Sequence, residues 1–192
     1  MHTLERQAEQ LRAAGIKYQA AAPDLALFAS QASARLAQFD LPAKFTLIVP
    51  GGSLHRPGKR WPADRYAAIA QQLVASEQNP VVLGGPAESE IVQSILRAAP
   101  GTRSLVGQTE FLDILALGRA AFAAIGNDTG PMHLIAAAGA PTLVLFGSES
   151  DPDLCAPRGG NVRILHVANL CDLPVEPVAA NLATLSRPNP LN

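Results

Sequence analysis

The sequence is short of cysteine, aromatic residues and charge. Only two of its 192 residues are cysteine, and aromatic and charged residues make up 5% and 16%. Cys155 and Cys171 lack metal-ligand spacing, which predicts reduced thiols rather than a zinc site or a disulfide scaffold. The net charge of −1 gives no electrostatic reason to expect nucleic acid. No apolar run approaches the roughly 20 residues of a membrane helix. These features favour a soluble cytoplasmic protein.

Several well-known motifs are also missing. No predicted strand is followed by the Gly-x-Gly-x-x-Gly fingerprint of dinucleotide sites. The P-loop pattern fails because Ser53 stands where its first glycine belongs and Lys59 is followed by arginine. There is no Gly-x-Ser-x-Gly elbow and no His-x-x-x-His zinc pattern. The chain is therefore expected to hold a ligand rather than attack one, with no metal and no cofactor.

From residue 45 onwards, short apolar runs alternate with segments of helical spacing. Apolar strands that alternate with helices indicate a parallel sheet covered on both faces, a doubly wound Rossmann-like α/β domain. The predicted strands are Phe45–Val49, Pro80–Leu83, Arg103–Val106, Ala121–Ile125, Thr142–Phe146 and Val162–Val167. The predicted helices of this region are Ala63–Ser76, Glu88–Ala98, Phe111–Arg119, Pro131–Ala138 and Val175–Leu185.

The first 43 residues have a different pattern. Residues 3–14 predict a helix with Thr3 as its N-cap and Gly15 as its stop. The stretch 16–43 has weak periodicity and is too long for an ordinary connection within a compact domain. It is either a loosely packed extension or the tail of another domain followed by a linker, and we favour the second.

Glycine-rich breaks follow four of the predicted strands. They are Pro50-Gly51-Gly52, Gly84-Gly85, Gly126 to Gly130, and Gly147. The carboxyl ends of parallel strands lie at one edge of a sheet, where doubly wound folds bind their ligands. Four such breaks on one rim predict that the backbone approaches a ligand closely there.

The turn Asn127-Asp128-Thr129-Gly130 is the richest of these breaks. Pro131 opens a predicted helix directly after it, so backbone N–H groups and the positive dipole end meet at the turn. Asp128 and Thr129 could simply cap that helix, and His133 could be a satisfied, partly buried histidine. The combination also suits a sugar diphosphate, with Thr129 on phosphate oxygens and Asp128 on hydroxyls or bracing the loop.

Two further segments carry charge on the same rim. The loop after the first strand holds His55, Arg56, Lys59 and Arg60, which are either solvated or in contact with phosphate. Trp61 is expected to anchor this loop by packing. Glu88, at the start of a helix, is either a dipole partner or an acceptor for ribose hydroxyls.

Taken in order, these motifs resemble the carboxyl-terminal half of glycosyltransferase family 9, which contains the ADP-heptose:lipopolysaccharide heptosyltransferases. The matching segments run from about residue 45 to 151, and Gly126-Asn-Asp-Thr-Gly-Pro-Met-His133 is the most specific. The resemblance implies the donor-binding half of a GT-B fold, with residues 44–170 as the nucleotide-sugar domain. It implies that residues 1–43 are the tail of an absent amino-terminal domain plus a linker, and 171–192 a closing helix and tail.

The resemblance also implies roles for individual residues. Lys59 would contact donor phosphate, Glu88 the ribose, and Met132 the nucleotide pocket. The remaining implied donor contacts are Asp128, Thr129, Gly130 and His133, together with Gly51 and Ser53. The partners implied are ADP-heptose and the lipopolysaccharide core, in the cytoplasm and peripherally at the inner membrane.

No catalytic residue is assigned within this chain. The family's general base is expected in the acceptor domain, so the chain alone should bind donor weakly and be deficient in transfer. Two alternatives stay open at this point. One is an inactive, stand-alone nucleotide-binding module, and the other is a GT-B enzyme that uses a different nucleotide sugar.

Overall fold

The computed structural model describes residues 1–19, 25, 28–53 and 55–185. Part of the predicted linker, residues 20–24 and 26–27, and residues 186–192 of the predicted tail lie outside the described residues. Within the described part of the chain, no helix has the length and apolarity that crossing a membrane requires.

Within the described residues, six parallel strands form one sheet: β1 (Thr46–Val49), β2 (Pro80–Val82), β3 (Arg103–Ser104), β4 (Ala123–Asn127), β5 (Thr142–Phe146) and β6 (Val162–His166). Their order across the sheet is β3-β2-β1-β4-β5-β6. This order reverses between β1 and β4, as in dinucleotide-binding folds. The predicted doubly wound parallel sheet is therefore confirmed.

Helices cover both faces of the sheet. Successive side chains of a strand point to opposite faces, so Ile48 of β1 joins one buried cluster while Leu47 and Val49 join the other. The helices of the described chain are α1 (Thr3–Ala13), α2 (Ala29–Ala37), α3 (Ala63–Ala75), α4 (Ser89–Ala98), α5 (Phe111–Ala120), α6 (Gly130–Ala137), α7 (Pro152–Cys155) and α8 (Val175–Ala183). Helices α3, α4 and α8 pack on the first face, and α2, α5 and α6 on the second.

The structure corrects several predicted bounds. The strand predicted at residues 121–125 begins at Ala123 and extends to Asn127, so Asn127 belongs to the sheet rather than to the turn. Helix α6 begins at Gly130, one residue before its predicted start at Pro131. At the amino terminus, the N-cap of α1 is His2 and not Thr3, because the Nδ1 of His2 accepts from the backbone N–H of Leu4 at 3.2 Å.

The stretch 16–43 is more structured than its weak periodicity predicts. Helix α2 lies within it and packs on α5. Arg35 donates to the buried Asp113 carboxylate at 2.7 Å, and Gln38 donates to the same oxygen at 3.0 Å. Burial works to raise the pKa of Asp113, but the backbone N–H of Glu110 and the Arg35 guanidinium hold it below its usual value. This polar contact helps to hold α2 on α5, and hydrophobic periodicity in the sequence does not reveal it.

Gly126 marks a close backbone approach near the reversal of strand order. A Cβ there would lie 2.7 Å from both the sulfur of Met132 and the carbonyl oxygen of Val49. Since the neighbour on one side is backbone of the adjacent strand, it cannot rotate away. The pairing of β1 with β4 and the seating of α6 therefore both require glycine at this position.

We expect Gly126→Ala to lower the free energy of unfolding by about 1 to 3 kcal/mol, as overpacking of a well-packed core does. The matched control is Gly130→Ala, because a Cβ at Gly130 meets nothing within 4 Å. Urea denaturation followed by circular dichroism measures both. Equal stabilities for the two variants would contradict the close approach at Gly126.

Candidate functional site

The carboxamide of Asn127 joins three segments around the end of β4. Its Nδ2 donates to the carbonyl oxygens of Pro50 and Gly51 at 2.9 and 2.8 Å. Its Oδ1 accepts from the backbone N–H of Trp61 at 3.1 Å and from the hydroxyl of Tyr66 at 2.9 Å. Burial raises the pKa of Tyr66, which keeps that hydroxyl protonated as a donor. The side chain thereby sets the glycine loop after β1 and the start of α3 relative to β4.

The basic loop is held from several sides. Trp61 is fully buried and donates through Nε1 to the carbonyl oxygen of Leu173 at 2.9 Å, so its predicted anchoring role is confirmed. Arg60 donates to the carbonyl oxygen of Gly52 at 2.6 Å. A 3-10 turn, Pro57–Lys59, lies between these anchors and the tip of the loop. It turns the Lys59 side chain toward the loop after β4.

Asp128 is the centre of a polar cluster beyond that strand. Its Oδ2 accepts from the Nζ of Lys59 at 2.6 Å and from the hydroxyl of Ser150 at 2.5 Å. The Nε2 of His133 lies 3.6 Å from Oδ1. The Asp128 side chain is 8% exposed and that of Lys59 14%. The cluster therefore joins the loop after β1, the turn after β4, helix α6 and the loop after β5.

The environment keeps Asp128 ionised. Burial alone would raise the pKa of this carboxyl, but the nearby imidazole of His133, the hydrogen bonds from Lys59 and Ser150, and the charge of Lys59 outweigh burial. The pKa of Asp128 consequently lies well below its usual value. The residue presents a fixed negative charge beside the amino end of α6.

Thr129 is the N-cap of α6, yet its side chain makes no capping hydrogen bond. Its Oγ1 is buried and has no hydrogen-bond partner in the described structure. A buried hydroxyl without a partner is unfavourable by about 1 to 3 kcal/mol. Such a group beside a positive helix end is placed to bind an anion.

A cleft of about 620 Å³ lies over the carboxyl ends of β1, β2 and β4. Its polar end contains Lys59, Asp128 and Thr129. The opposite end is formed after β2 and β3. There the Oε2 of Glu88 accepts from the backbone N–H of Gly85 at 2.8 Å. The other residues lining the cleft are Val49, Gly51, Gly52, Ser53, Leu83, Gly84, Pro86, Gly107, Thr109, Ile114, Gly130 and Pro131.

The cleft brings together most of the residues that the sequence singles out. Seven predicted donor contacts line it, namely Gly51, Ser53, Lys59, Glu88, Asp128, Thr129 and Gly130. Met132 and His133 are not among the lining residues: Met132 is fully buried beneath Gly126, and His133 lies beside Asp128. The donor-binding roles of all nine residues stay predictions.

Other members of the site escaped sequence reasoning. Ser150 lies 22 positions after Asp128, in a loop that carries no motif. The sequence places Asn127 in the turn, although its amide bonds to both ends of the loop after β1 and to the start of α3. Thr109 and Ile114 extend the cleft on the β3 side. The break at Gly107, where φ is +69°, is the one local signal that could have pointed to that side.

Comparison with known proteins bears on what this cleft does. The sequence model of glycosyltransferase family 9 (heptosyltransferase) matches residues 1–176. Lipopolysaccharide heptosyltransferase 2 of Salmonella typhimurium is 31% identical over 152 residues, which are 76% of this chain and 43% of that protein. The Escherichia coli K12 protein of the same name matches equally, at 31% over 152 residues.

Solved structures give the same picture. The E. coli ADP-heptose lps heptosyltransferase II superposes with a TM-score of 0.71 at 28% identity, covering 81% of this chain and 50% of that one. E. coli heptosyltransferase WaaC with ADP superposes with a TM-score of 0.74 at 22% identity, over 94% of this chain and 55% of that one, which shows the fold alone. The chain thus spans about half the length of these relatives.

Because the pKa of Asp128 is lowered in the folded state, this residue predicts a loss of folding stability at acid pH. A carboxyl with a lower pKa in the folded state stabilises the fold above its unfolded pKa of about 3.9, and this contribution is lost as the pH falls toward the folded value. Between pH 5 and pH 2, we expect the unsubstituted protein to lose about 2 kcal/mol more folding stability than Asp128→Asn does. Denaturant titrations across this range measure it.

The matched control is Asp153→Asn, which changes an exposed carboxylate in α7. This variant should lose as much stability between pH 5 and pH 2 as the unsubstituted protein does. If Asp128→Asn also loses as much stability over this range, the pairing of Asp128 with Lys59 and Ser150 is contradicted.

Proposed function

The chain belongs to glycosyltransferase family 9, and on this premise we propose that it is the donor-binding part of an enzyme that transfers heptose from ADP-heptose to the lipopolysaccharide inner core. In this proposal residues 44–170 hold the donor, and the closing helix follows from residue 171. Residues 1–43 lead from an acceptor-binding domain into the donor domain, where helix α2 packs on α5. In this proposal, the acceptor-binding domain binds the acceptor and supplies the general base.

One observation carries the donor assignment. The buried, unpartnered hydroxyl of Thr129 and the ammonium group of Lys59 lie at the same end of the cleft, at the amino end of α6. A diphosphate supplies acceptor oxygens for both groups and negative charge for the helix dipole. The cleft also lies at the reversal of strand order, where doubly wound folds bind nucleotides.

The far end of the cleft suits a nucleoside. Glu88 follows β2 and presents a carboxylate that can accept from ribose hydroxyls. Leu83, Thr109 and Ile114 form a largely apolar wall beyond it, which suits the faces of a base. The donor would therefore lie with its base toward β3 and its diphosphate toward α6.

The same geometry supports departure of the nucleotide. In the transfer, the bond between the anomeric carbon and the diphosphate oxygen breaks, and its electron pair stays on the diphosphate. The acceptor oxygen bonds to that carbon and loses its proton to the general base. Lys59 and the amino end of α6 are fixed before the reaction, so they can stabilise the charge that develops on the leaving diphosphate.

We expect Lys59→Met to weaken binding of ADP and ADP-heptose by about 1.5 to 3 kcal/mol, the range for a hydrogen bond to a charged group. This corresponds to roughly 10- to 150-fold in the dissociation constant. Isothermal titration calorimetry on the whole chain measures it, and a panel with UDP and GDP sugars tests the choice of nucleotide.

The control is Arg56→Met, which removes an exposed cation of the same loop three positions away. Because exposed charges are screened, this variant should bind within about twofold of the unsubstituted chain. Equal losses in the two variants would remove Lys59 from the site. No binding of ADP or ADP-heptose at millimolar concentration would count against the donor assignment as a whole.

A further inference from the structure

The cleft as a whole has an unusual charge for a phosphate site. Among the described residues that line it, Lys59 is the only cation, whereas Asp128 and Glu88 are both acidic. The ammonium group of Lys59 is already paired with Asp128 at 2.6 Å. A diphosphate that enters must therefore share Lys59 with a carboxylate.

Asp128 cannot readily move away from an incoming phosphate. Lys59, Ser150 and His133 contact its two oxygens from three separate segments, and only 8% of the side chain is exposed. Charges in such surroundings are screened far less than charges at the surface. A negative charge added next to Asp128 is consequently felt strongly.

The substrate and product of the proposed reaction differ by one such charge. The distal phosphate of a nucleotide sugar is a diester and carries about one negative charge, whereas a free terminal phosphate carries about 1.5 to 2 at neutral pH. The additional charge appears on the phosphate nearest the sugar, when the sugar has left. That is the end of the ligand which faces Asp128 in the proposed orientation.

We propose that Asp128 is a specificity-determining residue that favours the sugar-bearing nucleoside diphosphate over the free nucleoside diphosphate. It repels the extra charge of the product, so that Lys59 can bind the donor without holding the spent nucleotide. The proposal rests on the donor site assigned above. It gives Asp128 a part that differs from direct binding of phosphate, which a carboxylate is poorly suited to perform.

The test compares two ligands in two proteins. ADP carries the free terminal phosphate, and in ADP-ribose that phosphate is esterified to a sugar. Calorimetry gives the ratio of their dissociation constants for the unsubstituted chain and for Asp128→Asn. We expect the substitution to shift this ratio toward ADP by roughly tenfold, because it removes one negative charge in a weakly screened position. An unchanged ratio would overturn the proposal.

Ser150→Ala separates charge from structure. This variant removes a hydrogen bond to Asp128 and leaves the carboxylate in place. Lys59 and His133 still contact the carboxylate, so the ratio of ADP to ADP-ribose affinity should shift clearly less than it does in Asp128→Asn. If Ser150→Ala shifts the ratio as far as Asp128→Asn does, the effect is structural and the proposal fails.

A measurement on the unsubstituted chain keeps the proposal testable if Asp128→Asn does not fold. The methyl ester of the ADP terminal phosphate has one charge less than ADP at almost the same size. It should bind at least as tightly as ADP, and tighter binding of ADP would overturn the proposal. If neither ADP nor the ester binds, the donor assignment itself falls, which distinguishes the two failures.

Discussion

The rest of the site depends on the buried carboxamide of Asn127. Only a side chain with both a donor and an acceptor group can bind the carbonyls of Pro50 and Gly51 while accepting from Trp61 and Tyr66. These four bonds fix both ends of the loop after β1, and the start of α3, to the last residue of β4. Losing the amide would leave several buried polar groups unpaired at once, which is among the most destabilising changes a core can undergo.

The ion pair between Lys59 and Asp128 follows from this arrangement. Trp61 fixes the end of the basic loop, and Asp128 directly follows Asn127, so one carboxamide controls the positions of both charges. Ser150 adds a third segment from the loop after β5. Asn127 and Ser150 therefore hold the charged side chains of the cleft in position before a ligand binds.

Local signals explain what the sequence could predict. Strand β5 was predicted with its observed bounds because Pro141 and Gly147 flank a continuous apolar run. The rim was predictable for the same reason, since glycine and proline mark the strand ends. The sequence places Asn127 in the turn because a polar residue after an apolar run is typical of a turn, whereas its partners lie in the loop after β1 and in α3, more than 60 positions away. Ser150 and α2 were missed because their partners, Asp128 and Asp113, are remote in sequence.

The central claim is that the cleft binds a nucleoside diphosphate in one orientation, and a crystal structure of the chain with ADP tests it most directly. We predict the diphosphate within about 3 Å of the Lys59 ammonium and the Thr129 hydroxyl, as hydrogen bonds require. The ribose should lie beside Glu88 and the base against Thr109 and Ile114. ADP bound outside this cleft, or bound with its base toward α6, would contradict the account.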